Sequence, residues 1–213
     1  MSDEFEQQIT AFEAAGNEVV GRPERVSGKF VLTFLKGINS KIVFGKGCVL
    51  NTVSINVEQG NSSIFFGAST YIRGRYFVGA NSSVKIGDKT AMNRHVVFVA
   101  TEGASILLGQ GCLLSDVNMS TTDWHSIVDI QTGSRINPAK DIHIEESVWI
   151  GEGVTIQKGV TVGSHSIIGA KSVVTKPVKP FSLVAGIPAK VIKEGVSWQR
   201  ELIPMPSLPA DKY

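Results

Sequence analysis

Between Ile142 and Lys176 apolar side chains recur at every sixth position: Ile144, Ile150, Ile156, Val162, Ile168 and Val174. Four residues beyond each of the first five stands a small or β-branched residue: Val148, Val154, Val160, Ser166 and Ser172. A period of six matches neither the 3.6-residue turn of an α-helix nor the alternation of one long strand. It matches a short strand and a tight turn, repeated, and predicts a parallel β-helix built from hexapeptides. In each repeat one large apolar side chain and one small one near the corner point inward. No repeat can bury its own core, so stability has to come from stacking coil on coil.

Upstream the pattern is looser but still in phase. NSKIVFG, NSSIFFG, NSSVKIG and GASILLG begin at residues 39, 61, 81 and 103, at spacings of 22, 20 and 22. Four residues after Phe44, Phe66, Ile86 and Leu108 come Cys48, Thr70, Thr90 and Cys112. A coil of three hexapeptides needs about 18 residues, so these coils carry a few extra at one corner. The next matching position, Ile144, lies 36 residues after Leu108, about one coil more than the repeat requires. The surplus falls in Ser120 to Asp141, STTDWHSIVDIQTGSRINPAKD, which has no hexapeptide phase and holds turn chemistry at Thr132-Gly133 and Asn137-Pro138. Long aperiodic loops in compact domains are usually functional, so this protruding loop is where chemistry is expected.

At the start, Phe5, Ile9 and Phe12 share one helical face over residues 2–15, and Gly16-Asn17 supplies a stop. This short helix is read as a cap on the open end of the coil, which repeat folds require. The expected organisation is an N-terminal helix and cap over 1–30, the hexapeptide coil over 31–176 with its loop at 120–141, and a C-terminal extension over 177–213. After Lys176, Pro177 and Pro180 end the repeat, and the tail with Trp198, Pro204, Pro206 and Pro209 reads as extended surface or interface chain.

Composition narrows the function. The chain is 42% apolar and 19% charged, with 22 glycines, as a β-rich coil with many corners demands. A formal net charge of +2 gives no reason to expect nucleic acid. No apolar run approaches the roughly 18 residues of a membrane span, and MSDEFEQQ lacks the apolar stretch of a signal peptide, so a cytoplasmic location is expected. Cys48 and Cys112 sit at the small inward position and are read as packing residues rather than a disulfide.

Five segments carry a family resemblance: TDWH, TGSRINPAKDI, VWIGEGVTI, IIGAKSVVTK and VAGIPAK. The chain resembles the hexapeptide-repeat acyltransferases over roughly residues 39–193, and within them the sugar O-acetyltransferases that modify capsular polysaccharides such as polysialic acid. That resemblance implies a left-handed coil, a homotrimer with active sites between subunits, acetyl-CoA as cosubstrate and a carbohydrate acceptor. It also implies that His125 is the general base and that Trp149 walls the site; Asp123, two residues before the histidine, is the candidate to orient the imidazole. An imidazole suits the task, because it titrates near neutrality and can take the proton of an otherwise poor alcohol nucleophile. By the same resemblance Glu152, Ala170, Thr175, Lys176, Lys190 and Lys193 contact the coenzyme. Several relatives have arginine where this chain has Lys190 and Lys193, and a lysine pairs with phosphate only as a point charge. Glu152 departs from the small residue common at its position.

Other readings are an N-acetyltransferase of an amino-sugar nucleotide, an acetyltransferase of another small acceptor, or a non-enzymatic β-helical scaffold. A zinc hydratase would need three converging histidines, and His95, His125, His143 and His165 show no close pair, so no metal is expected.

Overall fold

The computed structural model describes residues 2–35 and 39–205; Pro206 and Pro209 of the tail lie outside them. Parallel strands wind into a three-sided prism. Its first face stacks Glu18–Val20, Lys41–Phe44, Ser63–Phe66, Ser83–Ile86, Ser105–Leu108, Ile142–Ile144 and Thr161–Val162 in that order. Three long strands, Arg25–Phe34, Val49–Val57 and Tyr71–Val78, bend around an edge and serve both other faces. Below them the second face continues with Ala91–Met92, Leu113–Leu114, Trp149–Ile150, Ile167–Ile168 and Ser182–Gly186. The third face continues with Val97–Ala100, Asn118–Ser120, Thr155–Ile156 and Val173–Val174. We number the edges by the face they follow.

The register obeys the sixfold pattern. Phe44, Phe66, Ile86, Leu108, Ile144 and Val162 are successive partners down the first face. Ile150 pairs with Ile168, and Ile156 with Val174. All these side chains are buried, so each column is a continuous apolar ladder. At the inward corners only small groups fit, and the hydroxyls there bond carbonyls: Thr90 Oγ1 donates to Gly109 O at 3.1 Å and Ser172 Oγ to Gly169 O at 2.6 Å. Cys48 and Cys112 occupy the same kind of position, wholly buried and unpaired; burial pushes both thiols up to about 11, which leaves them unreactive near neutrality.

The parallel ladder is longer than the 31–176 expected from hexapeptide spacing. It begins at Glu18, paired with Lys41, and its last rung joins Ile168 to Val184. The first coil escapes the sequence pattern because its strand is bulged between Ser27 and Phe30, as is the next between Leu50 and Val53. These bulges at the second edge hold some of the extra residues of the early coils.

Both ends of the stack are closed. The helix Asp3–Ala14, N-capped by Ser2, lays Phe5, Ile9 and Phe12 on the first coil, with the Phe5 ring 4.7 Å from Phe30. Gln8 continues the ladder with its side chain, accepting from Leu32 N at 2.7 Å and donating to Phe30 O at 3.1 Å. An otherwise open sheet edge is thereby satisfied. At the far end Ala189–Glu194 folds back antiparallel on Ser182–Gly186. The chain then climbs the first edge as a strap. Val196 N bonds Phe181 O (3.0 Å), Trp198 Nε1 bonds Ser147 O (2.7 Å) and an Arg200 guanidinium nitrogen bonds Lys89 O (3.2 Å). All three acceptors are corner residues with left-handed backbone, φ 56°, 54° and 58°.

Candidate active site

The sequence excursion is a folded hairpin at the third edge. It leaves after Asn118–Ser120 and is closed at its base by Lys140 N donating to Thr121 O at 3.0 Å. Val128 pairs antiparallel with Arg135, and Asp129 ties its tip by accepting from Gln131 N, Thr132 N and Thr132 Oγ1. Those bonds hold the Asp129 carboxyl below the usual range, the Thr132 backbone bond foremost.

His125 stands in the outgoing arm, exposed, and its imidazole makes no hydrogen bond among the described residues. Its backbone is firmly set. His125 N bonds Asp123 O at 2.8 Å around Trp124, whose φ is +64°, a strained three-residue turn. The Trp124 ring rests edge-on against Phe77, centroids 5.3 Å apart.

The expected contact between Asp123 and the imidazole is not made. The Asp123 carboxylate accepts from Lys158 Nζ at 2.6 Å and Asn137 Nδ2 at 2.8 Å instead, because the tight turn aims it at the coil. Lys158 spends its remaining donors on Asn137 O and Pro138 O. Asn137, buried, uses its whole amide: it donates to Asp123 and to His125 O, and accepts from Ile127 N and Arg135 Nε. A second brace joins Arg135 to Glu102 through two parallel bonds, 2.7 and 3.1 Å, with Thr122 Oγ1 also donating to Glu102. Sequence reading missed Asn137 in this role, Lys158, Glu102 and Arg135. Asn137 was visible only as turn chemistry, and Lys158 and Glu102 look like solvated corner residues.

Both anchoring carboxyls are held below their ordinary range, Asp123 chiefly by its Lys158 bond and Glu102 chiefly by its Arg135 bond. A depressed folded pKa contributes stability that is fully present above the unfolded value, about 4. That stability is lost as pH falls through the lower folded value. Both pairs lie at the surface, with Lys158 the most covered of the four at 16% exposure, so each contributes little to global stability. The hairpin is therefore expected to loosen before the coil does. Pepsin should begin to nick residues 124–136 as pH falls from about 4.5 toward 2.5; equal protection across that range would show that these pairs do not hold the hairpin.

The remaining expected residues are spread over the third edge, the second face, the second edge and the terminal strand. Thr175 and Lys176 are exposed one coil beneath Gln157 and Lys158, on the same edge as the hairpin. Trp149 lies on the second face, opposite that edge, 41% exposed, with Trp198 of the strap beside it at 6.0 Å. The two indoles and Ile167 line a cleft of about 430 Å³. Glu152 and Ala170 share the second edge, where Lys171 N bonds Glu152 O at 2.8 Å. The Glu152 carboxylate faces Arg94 (3.6 Å) and Lys171 (3.8 Å), so its charge is answered locally. Lys190 and Lys193 are exposed on Ala189–Glu194 and form no ion pair among the described residues. One chain thus keeps the His125 set and the Trp149 set on opposite sides of the prism. The other histidines are dispersed: His95 at the second edge, His143 outward on the first face, His165 stacked 4.9 Å from Phe181. No three His, Cys, Asp or Glu side chains converge as a metal site among the described residues.

Residues 141–176 match the bacterial transferase hexapeptide family model (six repeats). The solved structure of the polySia specific acetyltransferase NeuO superposes with a TM-score of 0.70 at 31% identity, over 87% of this chain and 90% of that one. The chain belongs to the hexapeptide-repeat acetyltransferases. The polysialic acid O-acetyltransferase OatWY superposes with a TM-score of 0.74 at 27% identity, over 88% and 92% of the two chains. The fold is thus the left-handed β-helix of these enzymes. A polysialic acid O-acetyltransferase of Escherichia coli O1:K1 / APEC is 42% identical over 130 residues, 61% of this chain and 42% of that protein. One from Neisseria meningitidis is 31% identical over 115 residues, 53% of each. The chain spans about half the length of these curated relatives. No described helix is long and apolar enough to cross a membrane.

Proposed function

We propose that this protein transfers acetyl from acetyl-CoA to a hydroxyl of an acidic surface polysaccharide or its precursor, with His125 as general base. The observation that carries the reading is the exposed imidazole of His125 on a hairpin braced to the coil, in a chain similar to polysialic acid O-acetyltransferases. In the reaction the imidazole takes the hydroxyl proton as the oxygen attacks the thioester carbonyl. The C–S bond then breaks, and the proton passes from the imidazolium to the departing thiolate. The acyl oxyanion formed on the way needs fixed donors, commonly backbone N–H groups.

Glu152, Ala170, Thr175, Lys176, Lys190 and Lys193 are the proposed coenzyme contacts, with the exposed lysines set to meet phosphates as point charges. Lys171, beside Glu152, adds a cation at the same edge. Asp123 serves as an anchor of the hairpin and not as a partner of the imidazole.

A homotrimer with sites between subunits fits this division of residues. The hairpin carries Trp124, Ile127, Val128, Ile130 and Ile136 at 51–99% exposure, an apolar surface that needs cover. A neighbour's second face would supply that cover and bring its Trp149 to His125. The test is a screen with acetyl-CoA that reads released thiol across acidic polysaccharides, free sugars and amino-sugar nucleotides. Turnover with a hydroxyl-bearing acidic polymer is the expected result; turnover confined to amino acceptors would overturn it.

A further inference from the structure

The third face of the early coils carries a second cleft, of about 340 Å³, that the proposed reaction does not use. Its outward side chains are Thr33, Ser54, Asn56, Arg75, Phe77 and Val97. Two hydroxyls and an amide offer donors and acceptors suited to sugar hydroxyls. Arg75 is exposed and makes no ion pair or hydrogen bond among the described residues, so its fork is available for a carboxylate. Phe77 gives an apolar surface for the face of a sugar ring. The nearby His95 imidazole is held below its ordinary range by burial first and then by the charge of Arg75, against the opposing charge of Asp116. The volume is that of a small ligand pocket, about one sugar residue.

The cleft is also joined to the hairpin. Phe77 lines it and touches the Trp124 ring, and Trp124 is the residue before His125. A smaller hollow of about 120 Å³, between Val97, Asn118, Ser120, Thr155 and Gln157, continues the same face toward the hairpin base. A ligand leaving the cleft along the third face therefore reaches the base of the hairpin that carries His125.

We infer that Arg75, Asn56, Ser54 and Phe77 form an acceptor subsite that holds one carboxylate-bearing sugar of a polymer while another sugar of the same chain is presented at His125. The inference rests on the proposed acetyl transfer to an acidic polysaccharide. Rates are compared for long polysialic acid and for its dimer, with wild type and with Arg75→Met and Arg75→Lys. Arg75→Met should raise KM for the long polymer about tenfold, the loss expected for one charged hydrogen-bonded contact. It should leave kcat, KM for acetyl-CoA and the rate on the dimer unchanged, and Arg75→Lys should recover part of the loss. An unchanged polymer KM in an active Arg75→Met enzyme overturns the subsite and leaves the proposed function standing. Calorimetry of the polymer against His125→Ala protein, with and without Arg75→Met, reads the subsite without turnover. If wild type transfers nothing to acidic polymers, the proposed function fails; polymer binding that Arg75→Met weakens would still support the cleft, and binding it does not weaken would overturn that as well.

Discussion

Replacing His125 by alanine should lower kcat by about 10²-fold or more, the usual contribution of a positioned general base. KM for acetyl-CoA should stay near the wild-type value, because the proposed coenzyme contacts are elsewhere. The melting temperature should not move, since the His125 side chain is exposed and its imidazole makes no hydrogen bond among the described residues. A drop in kcat with an unchanged melting curve therefore reports chemistry. Near-wild-type turnover would remove His125 from the mechanism and leave the deprotonation of the acceptor without a candidate.

The second large effect is expected at Asn137, which touches no proposed substrate. Its amide makes four hydrogen bonds, two to the Asp123–His125 turn, one from Ile127 N in the outgoing arm and one from Arg135 Nε in the returning arm. Alanine deletes all four and leaves Ile127 N and His125 O to find water, at about 1 kcal/mol or more each. The cost falls on the hairpin and not on the coil, whose apolar columns Asn137 does not enter. We expect kcat to fall at least tenfold, because catalytic groups misplaced by about 1 Å lose rate steeply. The melting temperature should shift by less than about 4 °C, and hydrogen exchange should speed up across 121–140 while the coil strands keep their protection. Full activity with a loosened hairpin would show that its order is irrelevant to turnover. Asn137→Asp is expected to be no rescue, since it sets a second carboxylate against Asp123.

These two residues mark what the sequence could and could not reveal. His125 stood out because it interrupts a strict period, and the period follows from prism geometry: a column such as Ile144–Val162 or Ile150–Ile168 must keep its spacing to stay stacked. The first coil was invisible for the converse reason. Its strand pairs through a bulge at Ser27–Phe30, so its apolar positions fall out of phase. Asp123 was paired with His125 on closeness in sequence, yet the turn at Trp124 points the carboxylate to Lys158, thirty-five residues away. Lys158 has an unremarkable corner position in its own repeat, and only the folded chain brings it under the hairpin. The division of site residues between two sides of the prism was likewise hidden, since it depends on which face each repeat presents.

The strap along the first edge alters how the stack should come apart. In a solenoid each coil touches only its neighbours, so the end can fray one coil at a time. Here Val196, Trp198 and Arg200 fasten to carbonyls at Phe181, Ser147 and Lys89, skipping coils between them. A staple of this kind turns a nearest-neighbour lattice into one with long-range coupling. The last coils are held from outside by the segment that follows them in sequence, and their unfolding first requires the strap to peel. Trp149, pinned between its strand and the Trp198 indole, reports on that event: its emission should change when the strap leaves, ahead of any loss of strand signal.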